Sequence, residues 1–488
     1  MINSLTIQLS QDKTLECVSV RDCMQVIDAN GFGIVFICQS DLSLVGCVTD
    51  GDLRRYLLNG GSVDDSCKYS LNKDCFRMNI NISRSELRVA FSERIAVIPL
   101  VDDNNILIDI ASTKKNYRIP ISEPLITTSE KAYVNDCLDT NWISSQGDYV
   151  QRFESHMSDL HSGLHPVAVS NGTVALQLCL QALGVGEGDE VILPNLTFAA
   201  SINAVIHVGA TPVLCDVDPS TWCIDIKSIK NLITEKTRAI MPVHLYGVPC
   251  DMDMVCEVAN RYGLFVIEDC AEAIGSRYKG SHVGTYGDAS AFSFFGNKTI
   301  TTGEGGMCLF KDRKVFEKAK IIRDHGMDPS KKYWHIAYGH NFRMTNIQAA
   351  IGVAQLERFQ EIISKKIFIG RQYEKYFFSV DGLSSQLVPK DSESTYWLFT
   401  VLLKDKNERD FMIEYLCNLG IDARPIFFPL SDMKIYQKYC RGNSLRSSCE
   451  VGYRGLSFPS SLNLDEFDIT YICSRVKDGL NLLKQNKP

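Results

Sequence analysis

Residues 292 to 306 read Phe-Ser-Phe-Phe-Gly-Asn-Lys-Thr-Ile-Thr-Thr-Gly-Glu-Gly-Gly, with Lys298 near the middle. An amine among small and polar residues, with the Ser293 hydroxyl before it and Gly303, Gly305 and Gly306 after it, suits a carbonyl cofactor that also carries a phosphate. The lysine would bond the carbonyl, Ser293 would donate to the phosphate, and the glycines would let the backbone turn where side chains collide. Lysines are mostly solvated surface residues and glycine clusters mostly plain turns, so other segments have to support the reading.

Two segments do. Leu264 to Ile267 is a short apolar run entering Glu268-Asp269-Cys270-Ala271-Glu272. That is the pattern of a buried parallel strand with acidic residues at its carboxyl end, where open α/β sheets bind ligands. Asp269 could there hold a pyridine nitrogen protonated, or simply cap the next helix. Ser170-Asn171-Gly172-Thr173 opens a segment whose Val174, Leu176, Leu178, Leu180 and Leu183 mark a buried helix; its start would bind phosphate or be an ordinary cap. A helix start, a strand-end aspartate and a lysine turn, taken together, point to pyridoxal 5'-phosphate.

Further motifs are Trp142-Ile143-Ser144-Ser145, His244-Leu245-Tyr246-Gly247 and Asn341-Phe342-Arg343-Met344-Thr345-Asn346. With these, residues 120 to 488 resemble the sugar aminotransferases of the DegT/DnrJ/EryC1 family, which have the aspartate-aminotransferase fold (fold type I). The resemblance implies that Lys298 forms the Schiff base and Asp269 faces the pyridine nitrogen. It implies that Gly172, Thr173 and Ser293 hold the phosphate, that Phe198 stacks on the ring, and that Glu272 faces the ring hydroxyl. It also implies that Asn341 reaches the phosphate of a neighbouring subunit, so that the active site belongs to a homodimer or larger homo-oligomer.

Within the family the chain resembles the 4-aminotransferases acting on GDP-4-keto-6-deoxy-D-mannose, which make GDP-perosamine for bacterial surface polysaccharides. The implied reaction takes the amino group from glutamate, passes through pyridoxamine phosphate and follows ping-pong kinetics. Ser144, His244, Tyr333, His335 and Arg424 lie in segments resembling the substrate-facing loops, and the planar fork of Arg424 suits a diphosphate or a carboxylate. A related 3-dehydratase has histidine in place of the lysine, so Lys298 favours transamination. Amination of another 4-keto-hexose, sugar dehydration, and a non-catalytic metabolite sensor are the alternatives.

The 488 residues are 45% hydrophobic and 22% charged, as in ordinary globular chains of several domains. A net charge of -7 with mixed signs argues against nucleic acid or an anionic membrane as main partner, and no run approaches a membrane span. The 18 cysteines are scattered without a Cys-x-x-Cys pair; reduced thiols in a cytoplasmic protein without a metal site are expected.

Three parts follow: an N-terminal module (1–115), a cofactor-binding large domain (116–365) and a small C-terminal domain (366–488). In the first, strands at Phe32 to Cys38 and Leu44 to Val48 lead through Thr49-Asp50-Gly51-Asp52 into a helix, and a shorter pattern repeats at Ala96 to Val101 and Ile106 to Ile110. This resembles a pair of CBS repeats, α/β modules that often bind adenine nucleotides. Thr49 and Asp52 suit phosphate and ribose hydroxyls, while Ser112-Thr113-Lys114-Lys115 offers no carboxylate in the second repeat, which leaves oligomerisation as the other role. Pro120 and Pro124 mark a linker, and Thr127-Thr128-Ser129-Glu130 a capping box opening the catalytic part. Alternating strands and helices to about residue 365 predict a parallel α/β layer.

Overall fold

The computed structural model describes residues 2–10, 14–82, 86–87, 90–91, 95–112, 119–378, 380–442 and 444–485. The chain divides into two compact units, Met1–Ile119 and Pro120–Pro488.

In the first unit, β1 (Thr6–Gln8) lies parallel to β2 (Ile34–Cys38), which is antiparallel to β3 (Leu44–Thr49). The helix α1 (Val20–Asn30) separates β1 from β2, and α2 (Asp50–Leu58) follows β3. A second sheet repeats the arrangement: β4 (Met78–Asn79) is parallel to β5 (Val97–Val101), which is antiparallel to β6 (Leu107–Ser112). The hairpin of β2 and β3 is repeated residue by residue in β5 and β6 at an offset of 63. Ile34 pairs with Thr49 as Val97 pairs with Ser112, the register slips at Ile37/Cys38 as at Leu100/Val101, and Leu42 and Asn105 share a left-handed φ of 69° and 62°. The two hairpin tips bond each other, Leu44 N–H to Asn105 O and Leu107 N–H to Leu42 O. Thr113, Lys114 and Lys115 lie outside the described residues.

The second unit holds a seven-stranded sheet built from β7 (His165–Val169), β8 (Glu190–Pro194), β9 (Thr211–Cys215), β10 (Thr237–Ile240), β11 (Phe265–Asp269), β12 (Ala289–Ser293) and β13 (Gly306–Phe310). Its order is β7-β13-β12-β11-β10-β8-β9, with only β13 antiparallel to its neighbours. The strands are near-continuous apolar runs because helices cover the faces of such a sheet. Among those helices, α3 (Gly172–Leu183) is buried nearly all round: Leu176, Leu178, Cys179 and Leu180 meet Val169, Ile267 and Ala291 in one core.

Beyond the sheet, α4 (Asn346–Glu357) and α5 (Phe359–Phe377) lead to a four-stranded antiparallel sheet containing β14 (Phe399–Leu402) and β15 (Gly455–Phe458). The division expected at residue 365 falls inside α5, which runs unbroken through it. Tyr373 and Phe377 on the far half of α5 pack their rings against Phe399 and Phe458 of the smaller sheet, so the two parts share a helix. Likewise, the break after the N-terminal module falls at Ile119 rather than 115. No helix of the described residues is long and apolar enough to cross a membrane.

Candidate active site

The parallel strands bring the chemically distinctive residues to one edge. Asp269 ends β11 and Ser293 ends β12, while Val169 of β7 leads into Asn171 and α3. Register closes the distance: Ser293 pairs with Gly306, and Gly306 pairs on its other side with Val169. A Cβ on Gly306 would lie 2.4 Å from the Asn171 carbonyl oxygen, and one on Gly172 would lie 2.8 Å from the Ser293 Cβ. Two glycines thus let Ser293 and the start of α3 touch. The Asn171 side chain accepts from Val174 N–H, leaving the Gly172 and Thr173 amides at the helix start without an intrahelical partner.

Lys298 lies beyond Ser293 in the turn, its Nζ 3.8 Å from Glu272 Oε1 and 3.8 Å from the centre of the Trp397 ring. Burial pushes the amine below the ordinary lysine range, against the charges of Glu272 and Asp269, which favour the ammonium. Glu272 is lifted by burial to about 7, though Lys298 and the Tyr246 N–H (2.9 Å to Oε2) stabilise its ionised form. Asp269 is also raised by burial; Ser201 Oγ donates to it at 2.8 Å and Ala271 N–H at 3.1 Å. Beside them, Tyr246 is stacked on Trp397 and Phe427, and Phe427 packs against Phe198, whose ring stays 59% exposed.

These residues fit pyridoxal phosphate. The amides at the start of α3, brought against Ser293 by Gly172 and Gly306, stand ready for a phosphate, a buried amine for an aldehyde, a buried carboxylate for a ring nitrogen, and an open aromatic face for the ring.

The other expected residues are placed differently. Asn341 is exposed; its Oδ1 accepts from Arg343 Nε at 3.1 Å, and it bridges to Asp324. Ser144 is exposed, with its carbonyl held by Asn346 N–H. Tyr333, 76% exposed, and His335 belong to a segment whose bonds join Met327 to His335 and His325 to His340. Arg424 is exposed and donates to Asp422 at 3.2 Å.

His244 requires a correction. It is fully buried and cannot meet a sugar. Cys250 N–H donates to its Nδ1, so Nε2 carries the proton and donates to Glu268 Oε2 at 3.0 Å. Glu268 also accepts from the amides of Gly284, Tyr286 and Gly287. Burial raises its pKa, but these bonds outweigh burial and hold it below the usual carboxylate range. Cys270 lies close enough to make a metal triad with the pair, yet the hydrogen bonds already fill the carboxylate and both imidazole nitrogens, and burial keeps the thiol protonated. Similarly, Thr49 and Asp52 form a reciprocal cap of α2, with Thr49 Oγ1 donating to Asp52 Oδ2 at 2.6 Å.

Sequence reasoning missed Ser201, Tyr246 and Trp397. Ser201 sits one helical turn after Thr197, to which its hydroxyl also bonds, and nothing local distinguishes it from a surface serine. The aromatics reach the site from segments distant in sequence.

The fold is that of fold type I pyridoxal phosphate aminotransferases, solved structures of which match over 75% of the chain. The chain belongs to the DegT/DnrJ/EryC1/StrS aminotransferase family, whose model matches residues 124–477, and is by membership a transaminase. It is 45% identical over 360 residues to GDP-perosamine synthase of Escherichia coli O157:H7, covering 74% of this chain and 98% of that one. GDP-perosamine synthase of Vibrio cholerae is 40% identical, covering 75% and 100%. Among solved structures, Spr1654 of Streptococcus pneumoniae, known in PLP and PMP forms, is 29% identical and covers 75% of this chain and 100% of its own; its PMP form superposes with a TM-score of 0.70.

Proposed function

We propose that this chain uses pyridoxal 5'-phosphate to move an amino group from glutamate to the 4-keto carbon of GDP-4-keto-6-deoxy-D-mannose, giving GDP-perosamine. The observation that carries the reading is the buried amine of Lys298 set between Glu272 and the indole of Trp397 beside Asp269. The choice of sugar rests on 40% and 45% identity to GDP-perosamine synthases over nearly their whole length.

The bound cofactor supplies an electron sink for the carbanion formed when the C–H bond beside the nitrogen breaks. Lys298 would anchor it, and its amine is the group placed to carry a proton between the donor carbon and the carbon on the other side of the nitrogen, general acid–base work worth roughly 10²–10⁴-fold. Burial serves this role by disfavouring the ammonium form. Asp269 holds the proton of the ring nitrogen, and a cation there restores the charge that burial now disfavours. Glu272 faces the ring hydroxyl, Gly172, Thr173 and Ser293 hold the phosphate, and Phe198 covers the ring. Asn341, exposed with its Oδ1 accepting from Arg343, would complete the phosphate site of a partner subunit in a homodimer. Ser144, Tyr333, His335 and Arg424, all exposed, are the groups available to the sugar nucleotide. One amine serves glutamate and keto-sugar in turn, so the kinetics are ping-pong. The first unit is read as a CBS-like pair, supported by its 63-residue repetition.

Mass spectrometry of the nucleotide sugar, after incubation with GDP-4-keto-6-deoxy-D-mannose, glutamate and the cofactor, tests the reading. The expected product has an amine in place of the ketone, and Lys298→Ala gives none. A product lacking a hydroxyl would make the chain a dehydratase, and an unchanged sugar would reject this substrate.

A further inference from the structure

Lys366, on α5, is only 2% exposed. Its Nζ donates to the carbonyls of Trp397 and Ser460, each at 2.7 Å. Those carbonyls flank neighbouring strands of the smaller sheet, Trp397 just before β14 and Ser460 just after β15. Trp397 is gripped at its other end as well: its indole Nε1 donates at 2.8 Å to the carbonyl of Asn297, the residue before Lys298, which also accepts from Ser122 Oγ at 3.0 Å. Its ring lies nearly parallel to that of Tyr246, centroids 5.8 Å apart, and presents a face to Lys298 Nζ at 3.8 Å. Lys298 and Lys366 line one small cavity with Ser122, Thr299 and Ser460.

We infer that Lys366 is a positioning residue for Lys298, acting through Trp397. A lysine with two carbonyls to satisfy fixes the main chain at Trp397, and the indole fixes the lysine turn through one hydrogen bond and one aromatic face. That face attracts an ammonium and closes the amine off from water on that side. The groups facing Lys298 are Glu272, Asp269 and this indole, and burial outweighs the two carboxylates in setting its proton affinity. Loosening the brace loses some of the indole's attraction for the ammonium but admits water, and because burial is the larger influence the net effect is a higher affinity of Lys298 for its proton.

The proposal rests on Lys298 being the reactive amine, and its test uses the cofactor-free full chain. Pulse acetylation across a pH series, read at the Lys298 peptide by mass spectrometry, follows this amine alone. In the wild type Lys298 should titrate below the surface lysines. Lys366→Met should move it up by about one unit, a roughly tenfold loss of free amine at neutral pH, and weaken equilibrium binding of pyridoxal phosphate. Trp397→Phe, which keeps a ring but not the donor to Asn297, should shift it the same way by less. A lower melting temperature with unchanged Lys298 titration in either variant would make Lys366 a packing residue and overturn the inference. A wild-type Lys298 titrating with the surface lysines would overturn the site reading beneath it as well.

Discussion

Burial lifts the Glu272 carboxyl from 4.5 to about 7, so the folded cofactor-free protein binds a proton there that the unfolded chain releases between those values. Its contribution to stability is therefore fully present below about pH 4.5 and is lost as pH rises through about 7. Glu272→Gln carries no such proton. Denaturant unfolding of both proteins without cofactor should thus show the variant gaining on the wild type from pH 5 to pH 7.5. A stability difference that stays flat across this range would mean that the carboxyl ionises as it does in water and that the Lys298 site is wet. The neighbouring Glu268 illustrates the opposite balance: it is equally buried but held ionised by three backbone amides and His244. Two glutamates four residues apart thus reach different charge states because hydrogen bonds, not sequence, decide the sign.

At the level of elements, the phosphate cradle depends on how closely α3 approaches the end of β12. Alanine at residue 172 is a good helix former, but its Cβ would sit 2.8 Å from the Ser293 Cβ, an atom too near the backbone to swing aside. Gly172→Ala should therefore leave the fold in place, lower the melting temperature modestly and weaken pyridoxal phosphate binding by about tenfold or more, on the order of 1–3 kcal/mol for a forced overlap. Equilibrium dialysis checks it, and unaltered affinity would place the phosphate elsewhere. The strand at Leu264 to Ile267, the helix after Asn171 and the lysine turn are legible because apolar runs and small-residue turns are local signals. What stays hidden is set by register and by distant packing. The approach of Gly172 to Ser293 depends on β13 lying between β7 and β12, and Trp397 reaches Lys298 from a different sheet. His244 reads as substrate-facing because its segment resembles the family's substrate-facing loops; its partners, Cys250 and Glu268, are visible only in the folded chain.

Over the whole molecule, the relatives divide the chain as the contacts do. Residues 124–477 match the family model, and about three quarters of this chain accounts for 98–100% of the two GDP-perosamine synthases. The second unit therefore spans the matched length of these relatives. The first has its own paired sheets, joined through their hairpin tips, and its own apolar cores around Val35 and Val48 and around Phe36 and Leu107. A protein beginning at Pro120 should fold, bind pyridoxal phosphate and turn over sugar at a rate within a few-fold of the full chain. Adding adenine nucleotides to both forms then tests the first unit. Thr49 and Asp52 already satisfy each other as a helix cap, so a nucleotide held by them would have to recruit groups that the cap uses. If AMP or ATP changes turnover of the full chain but not of the shortened one, the first unit is a nucleotide-responsive regulator and the cap opens to bind. Equal turnover and equal indifference to nucleotides would leave it an assembly element, which sedimentation of the two forms would then reveal as a change in oligomer size.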